Sequence, residues 1–249
     1  MPRASREKTR PSAFWPLAGI AAPLIALLFK LEIQGAEKLP REGAYVLAPN
    51  HYSEADPLAV ALAVWKAGRA PRFMAKESLF RVPVLGWILR STGMVPVARS
   101  SSASSARQTL ETSETLVRLG RGVIVYPEGS LTREPDLWPM RGKTGAVRLA
   151  MAAGIPVIPM AQWGVQQVMP RYGKLRLWPL RRRVTVLFGE PVDLSAFQNE
   201  GQTSNLAAAT DKVMADIAGL LSQLRDEPAP AERWNPADHG QKETGRLES

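Results

Sequence analysis

AYVLAPNHYSEADP, residues 44–57, contains in one segment the pattern on which this 249-residue chain is built. The apolar run 44–49 has the length and composition of a buried strand. Pro57 suits the first position of a helix, because the N–H that proline lacks is not needed there. The segment therefore predicts a strand that ends in a polar turn and leads into a helix. That turn contains His51 and Asp56.

The rest of the chain continues this alternation of short apolar strands and helical patterns. Predicted strands cover residues 31–34, 44–49, 72–75, 95–98, 122–126, 157–161 and 184–188. Predicted helices cover residues 57–66, 78–91, 103–119, 144–153 and 205–224. Such alternation indicates an α/β fold, a sheet with helices packed on it.

The composition narrows the possible chemistry. The chain has no cysteine, which excludes disulfides and thiolate chemistry. It shows no dense carboxylate cluster of the kind that holds a metal, so we predict no metal site. A net charge of +9 favours an anionic partner, which is a phosphorylated small molecule, an anionic membrane or a nucleic acid.

The first 30 residues predict attachment to a membrane. An apolar run at 13–29 follows a basic cluster made of Arg3, Arg6, Lys8 and Arg10. The run is shorter than the ~20 apolar residues of a spanning helix, and it contains prolines and a glycine. We predict a broken or re-entrant helix in one leaflet, with the basic cluster on the cytoplasmic side. A buried helix of a soluble protein is the alternative.

The remaining chain divides into two parts. Residues 31–225 have the patterning of one globular domain with a single core. Residues 226–249 are rich in Pro, Glu, Ala and Gly and have little apolar content. That composition predicts a disordered tail.

His51 is the candidate for base chemistry by imidazole, since the only other histidine, His239, falls in the polar tail. Asp56 lies five residues later, where it would fix the tautomer of His51 and stabilise the imidazolium. The alternative is that Asp56 is merely the N-cap of the following helix. No Gly-x-Ser-x-Gly elbow is present, so the base would act on a hydroxyl brought by a substrate.

A second candidate element is Tyr126-Pro127-Glu128-Gly129-Ser130, which follows the predicted strand 122–126. Glu128 and Gly129 therefore fall at the carboxyl end of a strand, as His51 does. In open α/β sheets this edge is where ligands bind. The alternative is a tight turn in which Gly129 supplies an unusual backbone angle.

Four cations form the third element. Lys76 and Arg99 follow predicted strands, and Arg133 and Lys143 flank the Glu128 loop. Cations at strand ends can gather around one phosphate, and arginine can bind it through two hydrogen bonds. The alternative for each of them is a solvated surface charge.

These motifs resemble those of the glycerolipid acyltransferase family, and in particular its 1-acyl-sn-glycerol-3-phosphate (lysophosphatidic acid) acyltransferases. The resemblance covers about residues 31–197, where four blocks occur in the family's order. The blocks are Asn50-His51-x4-Asp56, Gly93-Met94-Val95-Pro96-Val97-Ala98-Arg99, Tyr126-Pro127-Glu128-Gly129-Ser130 and Ile155-Pro156-Val157-Ile158-Pro159. The Lys143-Thr144-Gly145 segment also resembles the step between the third and fourth blocks.

The resemblance implies a fold and a reaction. The fold is a single mixed, largely parallel sheet flanked by helices, with a membrane-associated helical segment before it. The reaction transfers a fatty acyl group from acyl-CoA or acyl carrier protein to lysophosphatidic acid, with His51 as general base, Asp56 orienting it and no cofactor. The residues implied to bind substrate are Lys76, Arg99, Glu128, Gly129, Ser130, Arg133, Lys143 and Pro159. The implied place is the cytoplasmic face of the plasma membrane.

Other interpretations stay open at this point. One alternative is an enzyme of the same fold that uses another acceptor, such as a lysophospholipid with a head group or a glycolipid alcohol. A second alternative is an inactive lipid-binding relative. A nucleic-acid-binding protein is disfavoured, because the basic residues are scattered and no nucleic-acid motif appears. The basic and apolar residues of segment 171–183 predict a second contact with anionic headgroups, with a solvated hairpin as the alternative. The sequence does not indicate an oligomeric state.

Overall fold

The computed structural model of the protein describes residues 14–97, 103–197, 203–243 and 245. Within these ranges the strands are β1 (Phe29–Gln34), β2 (Tyr45–Pro49), β3 (Met74–Lys76), β4 (Val95–Val97), β5 (Gly122–Ile124), β6 (Val157–Trp163) and β7 (Arg182–Phe188). The α-helices are α1 (Phe14–Leu28), α2 (Asp56–Lys66), α3 (Pro83–Ser91), α4 (Ala103–Leu119), α5 (Gly145–Ala153) and α6 (Thr203–Arg225).

Five of the strands form a mixed sheet in the order β1-β7-β6-β2-β5. All neighbours in it are parallel except β6 and β7. Strands β3 and β4 form a separate parallel pair, which a single parallel bridge between Phe73 and Ile124 joins to the edge of the larger sheet. The prediction of an α/β fold with a mixed, largely parallel sheet is confirmed, although the structure divides that sheet into five strands and two.

Strand β2 lies inside the sheet and is buried along its whole length, as expected for a strand covered by helices on both faces. Its alternate side chains enter two different cores. Val46 and Ala48 pack with buried residues of α5 and α6 on one face. Leu47 packs with buried residues of α2 on the other. The carboxyl end of β2 is thereby held rigidly between two layers of helices.

The strand predictions agree closely with the structure, and the helix predictions differ at two places. The predicted helix 78–91 is a 3-10 turn (Glu77–Arg81) followed by α3, because Val82 is extended before Pro83 and proline disfavours helical angles in the residue before it. The predicted broken helix at 13–29 is one α-helix that continues through Pro23. Among the described residues, no helix is both long enough and apolar enough to cross a membrane.

The segment after α6 differs from the expectation of disorder. Residues 226–243 lie against the domain, and Pro236–His239 form a 3-10 turn capped by Asn235. The Trp234 and His239 rings stack with centroids 3.5 Å apart, and the Arg141 N–H donates to the Trp234 carbonyl at 2.8 Å. The low apolar content that predicted disorder is offset by these few anchoring contacts.

Candidate active site

His51 and Asp56 meet directly beyond the carboxyl end of β2. The His51 Nδ1 lies 3.0 Å from the Asp56 Oδ2. The Asp56 side chain is fully buried, whereas that of His51 is 16% exposed. Nδ1 is therefore engaged, which leaves Nε2 as the nitrogen that can exchange a proton with a ligand.

Asp56 is not the N-cap that its position before Pro57 suggested. The N-cap is Ala55, and Asp56 is the first residue of α2. Its Oδ2 turns back into the preceding loop and accepts hydrogen bonds from the N–H groups of Tyr52, at 2.7 Å, and Ser53, at 2.9 Å. One carboxylate oxygen thus closes the loop that carries His51 and also holds its ring.

Burial raises the pKa of the Asp56 carboxyl above its usual range, and the hydrogen bonds from His51, Ser53 and Tyr52 oppose that rise. These donors favour the ionised form. An ionised Asp56 favours the tautomer in which Nδ1 of His51 carries the proton, and it stabilises the imidazolium when Nε2 gains a second one.

Glu128 lies beside His51 but faces inward. It is fully buried. Its Oε1 accepts the His51 backbone N–H at 2.8 Å, and its Oε2 accepts the Met140 N–H at 3.1 Å. The sequence predicted that Glu128 binds the substrate, whereas in the structure both of its oxygens are bonded to backbone N–H groups. Oε1 ties the loop after β5 to the loop after β2, and Oε2 joins two parts of the loop after β5 to each other.

Burial raises the pKa of Glu128 to about 8. Hydrogen bonds from the Met140 and His51 backbones and from Thr132 lower it by a smaller amount. Burial therefore favours the neutral form of this carboxyl, and its N–H donors favour the ionised form.

Two further residues fix His51, and their roles were not part of the sequence prediction. The Tyr126 ring stacks on the imidazole with centroids 4.0 Å apart and planes 21° apart. Asn50 joins the end of β2 to β6, because its Oδ1 accepts from the Gln162 N–H and its Nδ2 donates to the Gln162 carbonyl. Both residues lie inside the recognised blocks, which was the signal that could have found them.

A cleft of about 500 Å³ opens in front of His51. Tyr126, Gly129, Lys76 and Lys143 are among the residues that line it. Lys76 ends β3 and is exposed, and it forms no ion pair with any described residue. Two of the predicted cations are therefore gathered around the same cleft as the imidazole.

Gly129 lines this cleft, and Ser130 follows it in the chain but does not line the cleft. Gly129 has φ 71°, so the turn interpretation of this residue holds. A Cβ added to it would lie 3.0 Å from the Lys143 Cδ. The Ser130 Oγ donates to the Glu243 carbonyl at 3.2 Å. Glycine here lets the stem of Lys143 pass close to the backbone and reach the cleft.

Among the described residues that were predicted to bind substrate, Arg133 and Pro159 also do not line the cleft. Arg133 is 2% exposed and donates to the Gly245 carbonyl at 3.2 Å. Pro159 is buried within β6, paired with Ala48, and its carbonyl accepts from the Gly189 N–H. Its contact with substrate stays a prediction. Arg99 lies outside the described residues.

The described residues contain no cluster of histidine and carboxylate side chains that could hold a metal ion. The side chains that line the cleft include one imidazole, one phenol and two ammonium groups. This set can take up and return a proton and bind an anion. The fold and the site together define an α/β protein with a histidine–aspartate pair at the carboxyl edge of its sheet, beside a cationic cleft.

Comparison with known proteins identifies the group to which such a protein belongs. A family model described as Acyltransferase matches residues 30–163, which is more than half of the chain. The chain therefore belongs to the acyltransferase family, as the resemblance of its motifs predicted. The matched region runs from the start of β1 to the end of β6 and contains every residue of the cleft.

Individual relatives agree with this assignment. The 1-acyl-sn-glycerol-3-phosphate acyltransferase BAT2 of Brassica napus (chloroplastic) is 32% identical over 143 residues, which are 57% of this chain and 40% of that protein. A 1-acyl-sn-glycerol-3-phosphate acyltransferase of Streptococcus pneumoniae is 29% identical over 206 residues, 80% of this chain and 70% of that protein. The chain thus spans less than half the length of the plant relative.

A solved structure shows the same fold. The 1-acyl-sn-glycerophosphate (LPA) acyltransferase PlsC of Thermotoga maritima superposes with a TM-score of 0.61 over 88% of this chain and 80% of that one. The two sequences are 24% identical. The curled mixed sheet and the helices on its faces are therefore common to both proteins.

Proposed function

We propose that this protein transfers a fatty acyl group from an acyl thioester to the free hydroxyl of lysophosphatidic acid, forming phosphatidic acid. The observation that carries the proposal is that the imidazole of His51 opens onto the cleft that Lys76 and Lys143 line. A base and two cations in one cleft suit an acceptor that has both a hydroxyl and a phosphate. The names of the relatives support the same acceptor.

The proposed reaction uses His51 as a general base. Nε2 takes the proton of the glycerol hydroxyl while the hydroxyl oxygen attacks the thioester carbonyl carbon. The tetrahedral intermediate collapses, the carbon–sulfur bond breaks, and the imidazolium returns the proton to the sulfur. Base catalysis of this kind supplies about 10²–10⁴-fold in rate. Asp56 stabilises the imidazolium throughout, from the position its three hydrogen bonds fix.

The chemistry needs no cofactor in this scheme, because the thioester is already activated. The donor is acyl-CoA or acyl carrier protein. The acceptor phosphate binds to Lys76 and Lys143, since an ammonium group is a good point charge for a phosphate. Arg99 belongs to this set by its place in the second block.

The protein works at the cytoplasmic face of the plasma membrane, where both lipid substrates partition. Two exposed surfaces support this part of the proposal. Helix α1 exposes a stripe of large apolar side chains at helical spacing, namely Leu17, Ile20, Leu24 and Leu27. Residues 174–181 are all exposed and combine three cations with four large apolar side chains, of which Trp178 is 82% exposed.

These two surfaces adjoin each other. The Arg181 N–H donates to the Leu27 carbonyl at 3.0 Å, so the basic and apolar segment 174–181 ends beside the last residue of the α1 stripe. Apolar side chains with interspersed cations suit an anionic bilayer surface. The protein accordingly presents one continuous face to the membrane.

An acceptor panel tests the proposal. The full chain in mixed micelles receives a long-chain acyl-CoA with lysophosphatidic acid, a lysophospholipid with a head group, or a glycolipid alcohol, and thiol release and lipid product are measured. We expect phosphatidic acid and an equal amount of free thiol with lysophosphatidic acid, and much slower transfer to the other two. Faster transfer to either of the others would contradict the proposal and would identify that lipid as the preferred acceptor.

A further inference from the structure

The segment that follows α6 passes over the part of the loop after β5 that carries Arg141 and Lys143. Its contact with Arg141 through the Trp234 carbonyl brings it beside a second cavity of about 250 Å³. Pro236 and Glu243 line one side of this cavity, and Glu128 and Lys143 line the other. Lys143 is therefore shared between the main cleft and the cavity that the segment covers.

Glu243 contacts both Lys143 and Ser130, two of the residues that the sequence predicted to bind substrate. Its carboxylate Oε2 lies 3.7 Å from the Lys143 Nζ, and its carbonyl accepts from the Ser130 Oγ. Two residues further along, the Gly245 carbonyl accepts from Arg133 at 3.2 Å and from the Tyr172 hydroxyl at 3.5 Å. Three residues that the sequence predicted to bind substrate are thus engaged by the protein's own chain.

The contact between Lys143 and Glu243 pairs an ammonium group with a carboxylate, and both groups are partly exposed. Lys143 is 41% exposed and Glu243 is 56% exposed, so water and a diffusing anion can reach both. A carboxylate on a lysine occupies the place that a phosphate monoester would take. An exposed ion pair of this kind is weak, which makes it exchangeable by a dianionic ligand.

We propose that Glu243 is an intramolecular competitor of the acceptor phosphate at Lys143. The acceptor must displace the Glu243 carboxylate, so the segment lowers the affinity of the site for the acceptor without touching His51 or Asp56. This inference rests on the proposed function for the identity of the acceptor. The contact between Glu243 and Lys143 exists independently of it.

The kinetic test compares two single variants of the full chain, Glu243→Gln and Glu232→Gln. Glu232 is an exposed carboxylate of the same segment and forms no ion pair with any described residue, so it serves as the matched control. We expect Glu243→Gln to lower the KM for lysophosphatidic acid about two- to fivefold, as befits an exposed pair. The KM for acyl-CoA, kcat and the control variant should match the wild type. An unchanged or raised KM for lysophosphatidic acid in Glu243→Gln would overturn the proposal.

A binding test separates this inference from the proposed function. Inorganic phosphate is titrated calorimetrically into wild type, Glu243→Gln and Glu232→Gln in the absence of lipid. We expect phosphate to bind about two- to fivefold more tightly to Glu243→Gln than to the other two proteins. Equal phosphate affinities in all three would overturn the competition, even where acyl transfer is confirmed. Tighter phosphate binding without acyl transfer would uphold the competition and reject the acceptor.

Discussion

The backbone N–H of His51 donates to the Glu128 carboxyl at 2.8 Å, so a residue of the third sequence block holds the proposed base, which belongs to the first block. Glu128 bonds to the backbone of His51 and is fully buried. Its second oxygen accepts the Met140 N–H. In the proposed reaction Glu128 is therefore a positioning residue, which acts through the place of His51.

Glu128→Gln should lower kcat while leaving the KM for lysophosphatidic acid nearly unchanged. The amide has one acceptor oxygen, so either His51 or Met140 loses its partner and the loop shifts. A displacement of about 1 Å can cost about 100-fold in rate, and we expect a decrease of about 10- to 100-fold. Steady-state kinetics measure both constants. A large rise in KM at unchanged kcat would instead assign Glu128 to substrate binding.

The raised pKa of Glu128 predicts a dependence of stability on pH. The folded protein keeps a proton on this carboxyl up to about pH 8, whereas the unfolded chain loses it near the ordinary value of 4.5. The free energy of unfolding contributed by this group therefore falls as the pH rises between these values. Urea unfolding at several pH values should show this slope in wild type and in Glu232→Gln, and a flatter curve in Glu128→Gln. Parallel curves for all three would refute the buried, protonated state.

Asp56→Asn should lower kcat by about 10²–10⁴-fold, since the amide removes the charge that stabilises the imidazolium. An Asn oxygen can still accept from the Tyr52 and Ser53 N–H groups, so the loop should stay folded. Thermal unfolding monitored by circular dichroism provides that control. A folded Asp56→Asn protein with a rate near that of wild type would show that Asp56 has only a structural role.

Lys76→Gln should raise the KM for lysophosphatidic acid about tenfold, because hydrogen bonds to charged groups are worth about 1.5–3 kcal/mol. The KM for acyl-CoA should change less. Lys66→Gln, at the far end of α2, is the matched control. Equal effects on the two Michaelis constants would mean that Lys76 does not distinguish the acceptor from the donor.

Replacing both Leu177 and Trp178 with Ser should weaken binding to vesicles of phosphatidylglycerol and phosphatidylcholine by at least about 100-fold, since burying each of these side chains contributes about 1.5–3 kcal/mol. Co-sedimentation measures the bound fraction. Trp87→Ser, on α3 and also exposed, is the control for a general loss of surface hydrophobicity. Wild-type binding by the double variant would show that residues 174–181 do not contact the bilayer.

The sequence was sufficient to predict the strands of the sheet and the His51–Asp56 pair. Apolar runs and turn residues locate strands well when each strand is short, apolar and bounded by polar residues, as β2 is. Because the carboxyl ends of parallel strands meet at one edge, the cleft around His51 and Lys76 followed from their places in the chain. The break before Pro83 was missed by the predicted helix 78–91, although proline restrains Val82.

The sequence did not predict the direction in which a loop side chain faces. Glu128 and Lys143 both lie in the loop after β5, yet one turns into the protein and the other lines the cleft. Their orientations depend on how the loop folds back through Met140, which no local pattern records. The stacking of Tyr126 on His51 joins two segments that only the assembled sheet brings together. The path of residues 226–243 depends on a few anchors, such as Trp234, that an average composition conceals.

The most direct test of the central claim is acyl transfer from a long-chain acyl-CoA to lysophosphatidic acid by wild type and by His51→Ala, measured as phosphatidic acid formed. Vesicle binding and thermal unfolding of the variant confirm that it is folded. The account predicts product with wild type and a rate about 10²–10⁴-fold lower with His51→Ala. A folded His51→Ala protein that forms phosphatidic acid at the wild-type rate would contradict it.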